Sequence, residues 1–190
     1  MFPYKKSITF SDNLLGSLPI YSAWRFLGFD RETAFQWWIL TIFIFNFLAA
    51  LWVLQKWSQN YILASVGAYI FAFSIMLVGN IYNVQTLPRF ILPFLFYWLW
   101  RFLKEEKTKY FVGLALGLVY QFYCGIYLGF LALYVLAFFT ISLLLVSKDF
   151  RISMQTLTSK KFIIEILLTA FVSIFALGVL MYPYYVHSQT

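Results

Sequence analysis

Charge is what this chain has least of. Only 11% of its 190 residues are Asp, Glu, Lys or Arg, against about a quarter in an ordinary soluble domain. Cysteine occurs once, at Cys124, which excludes an internal disulfide and any Cys-based zinc cluster. A single histidine, His187, leaves no His pair for a metal. Residues 1–33 contain no uninterrupted apolar core ahead of a small-residue cleavage site, so they do not read as a signal peptide. No internal repeat, heptad pattern or low-complexity tract is present. The net charge of +7 is not gathered into a nucleic-acid-binding patch. Its bases lie in short connections between apolar runs, where they set membrane topology, and no nucleic-acid partner is expected.

Apolar sequence fills the space. Hydrophobic residues make up 63% of the chain and aromatics 23%, with a mean hydropathy of +0.80. Six apolar segments run from Ala34 to Leu54, Tyr61 to Gly79, Leu87 to Leu103, Tyr110 to Phe122, Ile126 to Val146 and Phe162 to Met181. The fourth is short, bears Gly113, Gly117 and Gln121, and either tilts or runs on through Tyr123 and Cys124. Membrane-barrel strands would alternate over about ten residues, and these runs are continuous. The expected fold is therefore all-α, a polytopic transmembrane helical bundle of about six spans in contact with membrane lipids. Two regions are expected. Residues 1–33 form an extracytoplasmic loop with an interfacial helix, and residues 34–190 form the transmembrane helical domain.

Orientation follows from the basic residues. Nine fall on one side: Lys56, Arg101, Lys104, Lys107, Lys109, Lys148, Arg151, Lys160 and Lys161. Five fall on the other: Lys5, Lys6, Arg25, Arg31 and Arg89. The richer side is cytoplasmic by the positive-inside rule, which places residues 1–33 and "GNIYNVQT" outside. An external N-terminal tail needs a helix to bring it across, so a transmembrane segment upstream of this sequence is expected.

The tail contains "FSDNLLGSLPIY", residues 10–21. Ser17 suits a helix N-cap, Pro19 a first turn and Gly28 a stop. Between them Leu18, Ile20, Tyr21, Trp24, Phe26 and Leu27 leave Ser22 and Arg25 on a narrow polar strip. A helix of about ten residues of this kind lies in the membrane interface and does not span it. Asp30 or Thr33 can cap the first full span, with Glu32 in its first turn.

This order of acid, turn, interfacial helix and membrane resembles the start of the polytopic lipid-linked-sugar glycosyltransferases of the GT-C fold. The matching residues are Asp12, Leu14, Leu15, Gly16, Pro19 and Tyr21, followed by "WRFLGF". Further likeness lies in "FNFLAALWVL", "AYIFAFS", "GNIYNVQTLP" and "GLALGLVYQFYCGIYLGF". The resemblance covers nearly the whole chain as the N-terminal part of such a protein. It implies transfer of a sugar from a polyprenyl-phosphate-linked donor, in the bacterial cytoplasmic membrane, with the chemistry outside. Asp12 takes the place of the catalytic carboxylate, which accepts the acceptor's proton or holds a divalent metal. Two departures stand out. The family's first transmembrane helix has no counterpart in this sequence. A His that many relatives carry before the third span is replaced by Asn80, Asn83 and Gln85.

Each candidate has a structural reading beside the functional one. Asp12 suits an Asx turn as well as catalysis, and Asp30 and Glu32 read as capping residues. Arg89 can hold a lipid phosphate by paired hydrogen bonds or snorkel to the interface, with Asn80, Asn83 and Gln85 as polar neighbours for substrate. Tyr120, Gln121, Tyr123 and Tyr127 can line a sugar pocket or form an aromatic belt. Glu165 reads as an interfacial acid beside Lys160 and Lys161. His187 reads as a lone terminal residue, and Lys104 to Lys107 as a solvated turn. The competing functions are a transporter or flippase-like protein and a non-catalytic structural subunit. None of the seven acids falls mid-span, which counts against ion-coupled transport.

Overall fold

The computed structural model describes residues 13–74, 78–79, 83–146 and 160–188. Among these, every regular element is helical. A short helix α1 (Leu18–Phe26) leads into the long α2 (Arg31–Ser58) and its antiparallel partner α3 (Tyr61–Phe73). A single 3-10 turn, Val84–Thr86, precedes α4 (Leu92–Glu105). Then follow α5 (Thr108–Cys124), α6 (Ile126–Val146) and α7 (Lys160–Ser188).

Local chemistry sets the boundaries. Asp30 caps α2 by accepting from Thr33 N at 3.1 Å, as its position before the first apolar run implies. This hydrogen bond, with a smaller contribution from Arg25, holds the Asp30 carboxyl below its usual range. Asn60 caps α3 through Ile62 N and Leu63 N. Gly28, with φ +93°, supplies the left-handed residue that turns the chain out of α1. Ser17 occupies the N-cap position of α1 but makes no cap bond. Its hydroxyl donates instead to Leu14 O at 3.1 Å.

Small residues govern how the helices meet. Ala64, Ala68 and Ala72 recur every four residues along one buried stripe of α3, a spacing that lets two backbones approach closely. Leu54 of α2 lies against Gly67, and Phe43 and Phe47 of α2 lie against Phe73. On α5, Gly113 and Gly117 leave room for Trp98 and Leu95 of α4. Leu95, Leu99, Phe102 and Leu103 of α4 then join Tyr110 of α5 and Ala132 and Leu136 of α6 in one apolar cluster.

Among the described residues three helices are long and apolar enough to cross a membrane: Arg31–Ser58, Ile126–Val146 and Ile163–Val186. The last two are covered by the rest of the chain over only 17% and 11% of their most apolar windows. Phe138, Leu145, Phe171 and Ile174 are among the large side chains left exposed on them. Each such side chain costs about 1.5–3 kcal/mol to hold in water, so these faces call for an apolar medium.

The third apolar segment departs from its expected limits. Helix α4 begins at Leu92, not Leu87, with Pro93 in its first turn. Residues 87–91 form a non-helical approach in which the Leu87 and Pro88 carbonyls accept from Asn46 of α2 and Gln121 of α5. The second segment is helical from Tyr61 to Phe73. The fifth matches its expected ends, Ile126 and Val146.

Candidate functional site

Two connections converge at the end of the bundle formed by the first half of α2 and the C-terminal end of α5. The first is Asn13–Ser17. Asn13 is buried and its side chain accepts from Leu15 N at 3.3 Å, an Asx turn. Gly16 then lies directly on the end of α5. Its N–H donates to Tyr123 O at 2.7 Å, and Tyr120 Oη donates to Gly16 O at 2.7 Å. A Cβ at Gly16 would sit 2.6 Å from Cys124 Sγ and 2.9 Å from Cys124 N, so glycine is required here for close approach. Trp38 of α2 fixes the next residue, donating through Nε1 to Ser17 O at 3.3 Å.

The second connection is Asn83–Ile91. Asn46 is fully buried within α2 and grips this segment twice. Its Nδ2 donates to Leu87 O at 2.9 Å, and its Oδ1 accepts from Arg89 N at 3.2 Å. Gln121 of α5, also fully buried, donates to Pro88 O at 3.0 Å. Its Oε1 has no hydrogen-bond partner among the described residues. Leu87 packs into a cluster with Trp38, Ile42 and Phe43, and Leu14 and Val84 lie against the same cluster. Tyr120 ties the two connections together, because its hydroxyl serves Gly16 while its ring lies 6.0 Å from that of Phe90.

Arg89 therefore has a fixed backbone and a directed side chain. Its Nε donates to Thr86 O at 3.0 Å. The guanidinium is half-buried, and burial pushes its pKa below the ordinary value. Among the described residues no carboxylate lies within ion-pair distance of it. A desolvated cation of this kind favours an anion able to accept two hydrogen bonds. Beside the first connection, an apolar recess of about 200 Å³ lies between α1 and α2, lined by Leu14, Ser17, Leu18, Tyr21, Phe35 and Trp38.

The expected site residues fall as follows. Asp12 and Asn80 lie outside the described residues. Asn83 is exposed and its carbonyl accepts from Thr86 N and Oγ1, both at 2.8 Å. Gln85 sits half-buried in the 3-10 turn. The Tyr123 hydroxyl donates to Ala176 O of α7 at 2.9 Å. Tyr127 is exposed near the start of α6. Glu165 lies half-buried in α7 and its carbonyl accepts from Thr169.

Sequence reasoning missed Asn46 and Trp38. The signal for Asn46 was there, a single amide inside "FIFNFLAAL", since a polar side chain in such a run needs a partner. The turn at Lys104–Lys107 also holds more than solvated charges. Glu105 pairs with Arg101 and Lys107 and accepts from Tyr110 Oη. The hydrogen bond from Lys107, then the charges of Arg101 and Lys107, hold its carboxyl below the usual range. No three His, Cys, Asp or Glu side chains gather into a metal-binding group among the described residues. No protein-family model, no curated protein and no solved structure matches this chain.

Proposed function

We propose that this chain is a GT-C-like membrane glycosyltransferase, or the N-terminal part of one, that takes a sugar from a polyprenyl-phosphate donor on the extracytoplasmic side. The observation that carries the reading is the convergence of two connections on one end of the bundle. One directly follows Asp12 in sequence, and the other presents Arg89. Asn46, Gln121, Trp38 and Tyr120 hold both in place.

In this reading Arg89 binds the donor phosphate, and the recess between α1 and α2 receives the first units of the prenyl chain. Asp12 accepts the proton of the acceptor hydroxyl as that oxygen attacks the anomeric carbon. The bond from that carbon to the phosphate oxygen breaks, and polyprenyl phosphate leaves with the electron pair. Asp12 is also the residue that would hold a divalent cation. The chain crosses a bacterial cytoplasmic membrane six times, with α1 lying in the outer interface. The exposure of Leu18, Phe26 and Leu27 on α1 supports that placement.

The test is sugar transfer from a polyprenyl-phosphate donor series in membranes containing the full chain. Arg89→Gln is expected to raise KM for the donor about tenfold or more, as removal of a charged hydrogen-bonding partner does, with a smaller effect on kcat. An unchanged donor KM would remove Arg89 from phosphate binding. Absence of transfer with every donor, from protein shown to be folded and inserted, would overturn the enzymatic reading.

A further inference from the structure

At the end of the bundle away from Arg89, α2 and α4 present two lysines, each over a tryptophan of one chain of contacting aromatic rings. Lys56 Nζ lies 5.7 Å from the Trp52 ring, and Lys104 Nζ lies 5.0 Å from the Trp100 ring. The rings touch one another at steep angles. Trp52 meets Tyr97 edge to face at 5.2 Å, Tyr97 neighbours Trp100 at 6.4 Å, and Trp57 meets Trp100 at 6.3 Å. The rings orient these ammonium groups without neutralising them.

Among the described residues no acid meets their charge. Glu105 is engaged by Arg101, Lys107 and Tyr110. Among the described residues no carboxylate lies within ion-pair distance of Lys56 or Lys104. Beside Lys56 is a polar recess of about 400 Å³, lined also by Trp52, Gln55 and Gln59.

Trp57 belongs to a second feature. It walls a groove of about 210 Å³ between α2, α3 and α4, whose other lining includes Ala50, Val53, Leu54, Phe71 and Phe96. The lining side chains are all apolar. Trp57 links the two features, because it lines the groove and touches Trp100, over which Lys104 lies; cations joined in this way to an apolar groove match a molecule with an anionic head and a hydrocarbon chain. A soluble phosphate would leave the groove unfilled, and an uncharged lipid would leave the lysines unmet.

We propose that this surface binds one anionic phospholipid, with its phosphate between Lys56 and Lys104 and an acyl chain in the groove walled by Trp57. The proposal rests on the membrane embedding of the chain and not on sugar transfer, so lipid retention and transfer activity fail independently. Anionic lipid favours the same face as the richer set of bases, because lysines near an anionic membrane surface are attracted to it.

The experiment is native mass spectrometry of the full chain released from micelles doped with equal amounts of phosphatidylglycerol and phosphatidylcholine. The wild type is expected to retain one phosphatidylglycerol in preference to phosphatidylcholine by about tenfold or more, given two lysines. The double variant Lys56→Gln with Lys104→Gln is expected to lose that preference. Both side chains are exposed, so folding should survive, and retention of phosphatidylcholine reports it. Lys107→Gln with Lys109→Gln removes the same charge from the same end and is expected to keep the preference. Equal retention of the two lipids by wild type overturns the proposal. So does an equal loss in both double variants, which would mark a diffuse charge effect. Displacement of the lipid by millimolar inorganic phosphate would show that the groove holds no chain, and would overturn it too.

Discussion

Replacing Gly16 by Ala tests whether the connection that follows Asp12 is seated on α5. The new methyl would meet Cys124 Sγ at 2.6 Å, Cys124 N at 2.9 Å and the Tyr123 carbonyl carbon at 3.0 Å. Two of those three atoms are backbone, so no rotamer change relieves the clash. The connection must lift. Lifting breaks the Gly16 N–H to Tyr123 O bond and the Tyr120 Oη to Gly16 O bond, each contributing about 1 kcal/mol. Seated, the Gly16→Ala connection is overpacked by about 1–3 kcal/mol, and that strain is what shifts it towards the lifted state. Even the lower figure raises the lifted population about fivefold. Cys124 is the only cysteine and lies buried beneath Gly16, so it reports the opening directly. Maleimide labelling of Cys124 in micelles should be slow in wild type and faster by at least that factor in Gly16→Ala. Gly178→Ala is the control. A Cβ there meets nothing within 4 Å, and alanine favours a helix over glycine by about 1 kcal/mol. Labelling and thermal stability unchanged in Gly16→Ala would refute the seating of this connection.

Asn46→Ala removes two side-chain hydrogen bonds and strands Leu87 O and Arg89 N. It should cost about 2–4 kcal/mol and lower the melting temperature in detergent, whereas an unchanged melting temperature would show that the grip on residues 87–89 contributes nothing. Glu105→Gln addresses pH. The hydrogen bond from Lys107 and the charges of Arg101 and Lys107 depress the folded carboxyl below the usual carboxylate range, so its contribution is present above the unfolded pKa and fades as pH falls through the folded one. Hydrogen exchange at the α4–α5 turn should therefore quicken in wild type on acidification to about pH 3 but change little in Glu105→Gln; equal responses would dissolve the network. Topology is read in a Cys124→Ser background. Asn83→Cys should react with an impermeant maleimide on intact cells and Gln59→Cys only after permeabilisation, and the reverse pattern would invert the orientation.

The helical class and most helix limits were legible because apolar run length and capping residues report them directly. Asp30 before "RETAFQWW" and the uninterrupted run from Ile126 to Val146 are examples. The start of α4 was not legible. Leu87, Phe90 and Ile91 are as apolar as the helix they precede, and an apolar loop buried by Trp38 and Ile42 looks the same in sequence as a span. For the site, Arg89 and Gln121 could be singled out as polar residues at the end of apolar runs. That both serve one connection depends on Pro88 and Thr86 carbonyls, which no sequence pattern exposes. Gly16 belongs to a sequence motif, but the reason for glycine there is contact with Cys124, more than a hundred residues away. Tyr123 was grouped with Tyr120 by proximity in sequence, yet on a helix the two hydroxyls serve different partners, Ala176 and Gly16.

The most direct test of the proposed chemistry is the initial rate of sugar transfer from a polyprenyl-phosphate donor by membranes containing Asp12→Asn, against wild type at equal protein. Asn is nearly isosteric with Asp but takes up no proton and binds a cation poorly. The expected result is a fall of about a hundredfold or more, as for loss of a general base, with unchanged insertion and with Asp30→Asn close to wild type. Full transfer activity in Asp12→Asn would contradict the assignment and leave Asp12 a turn residue.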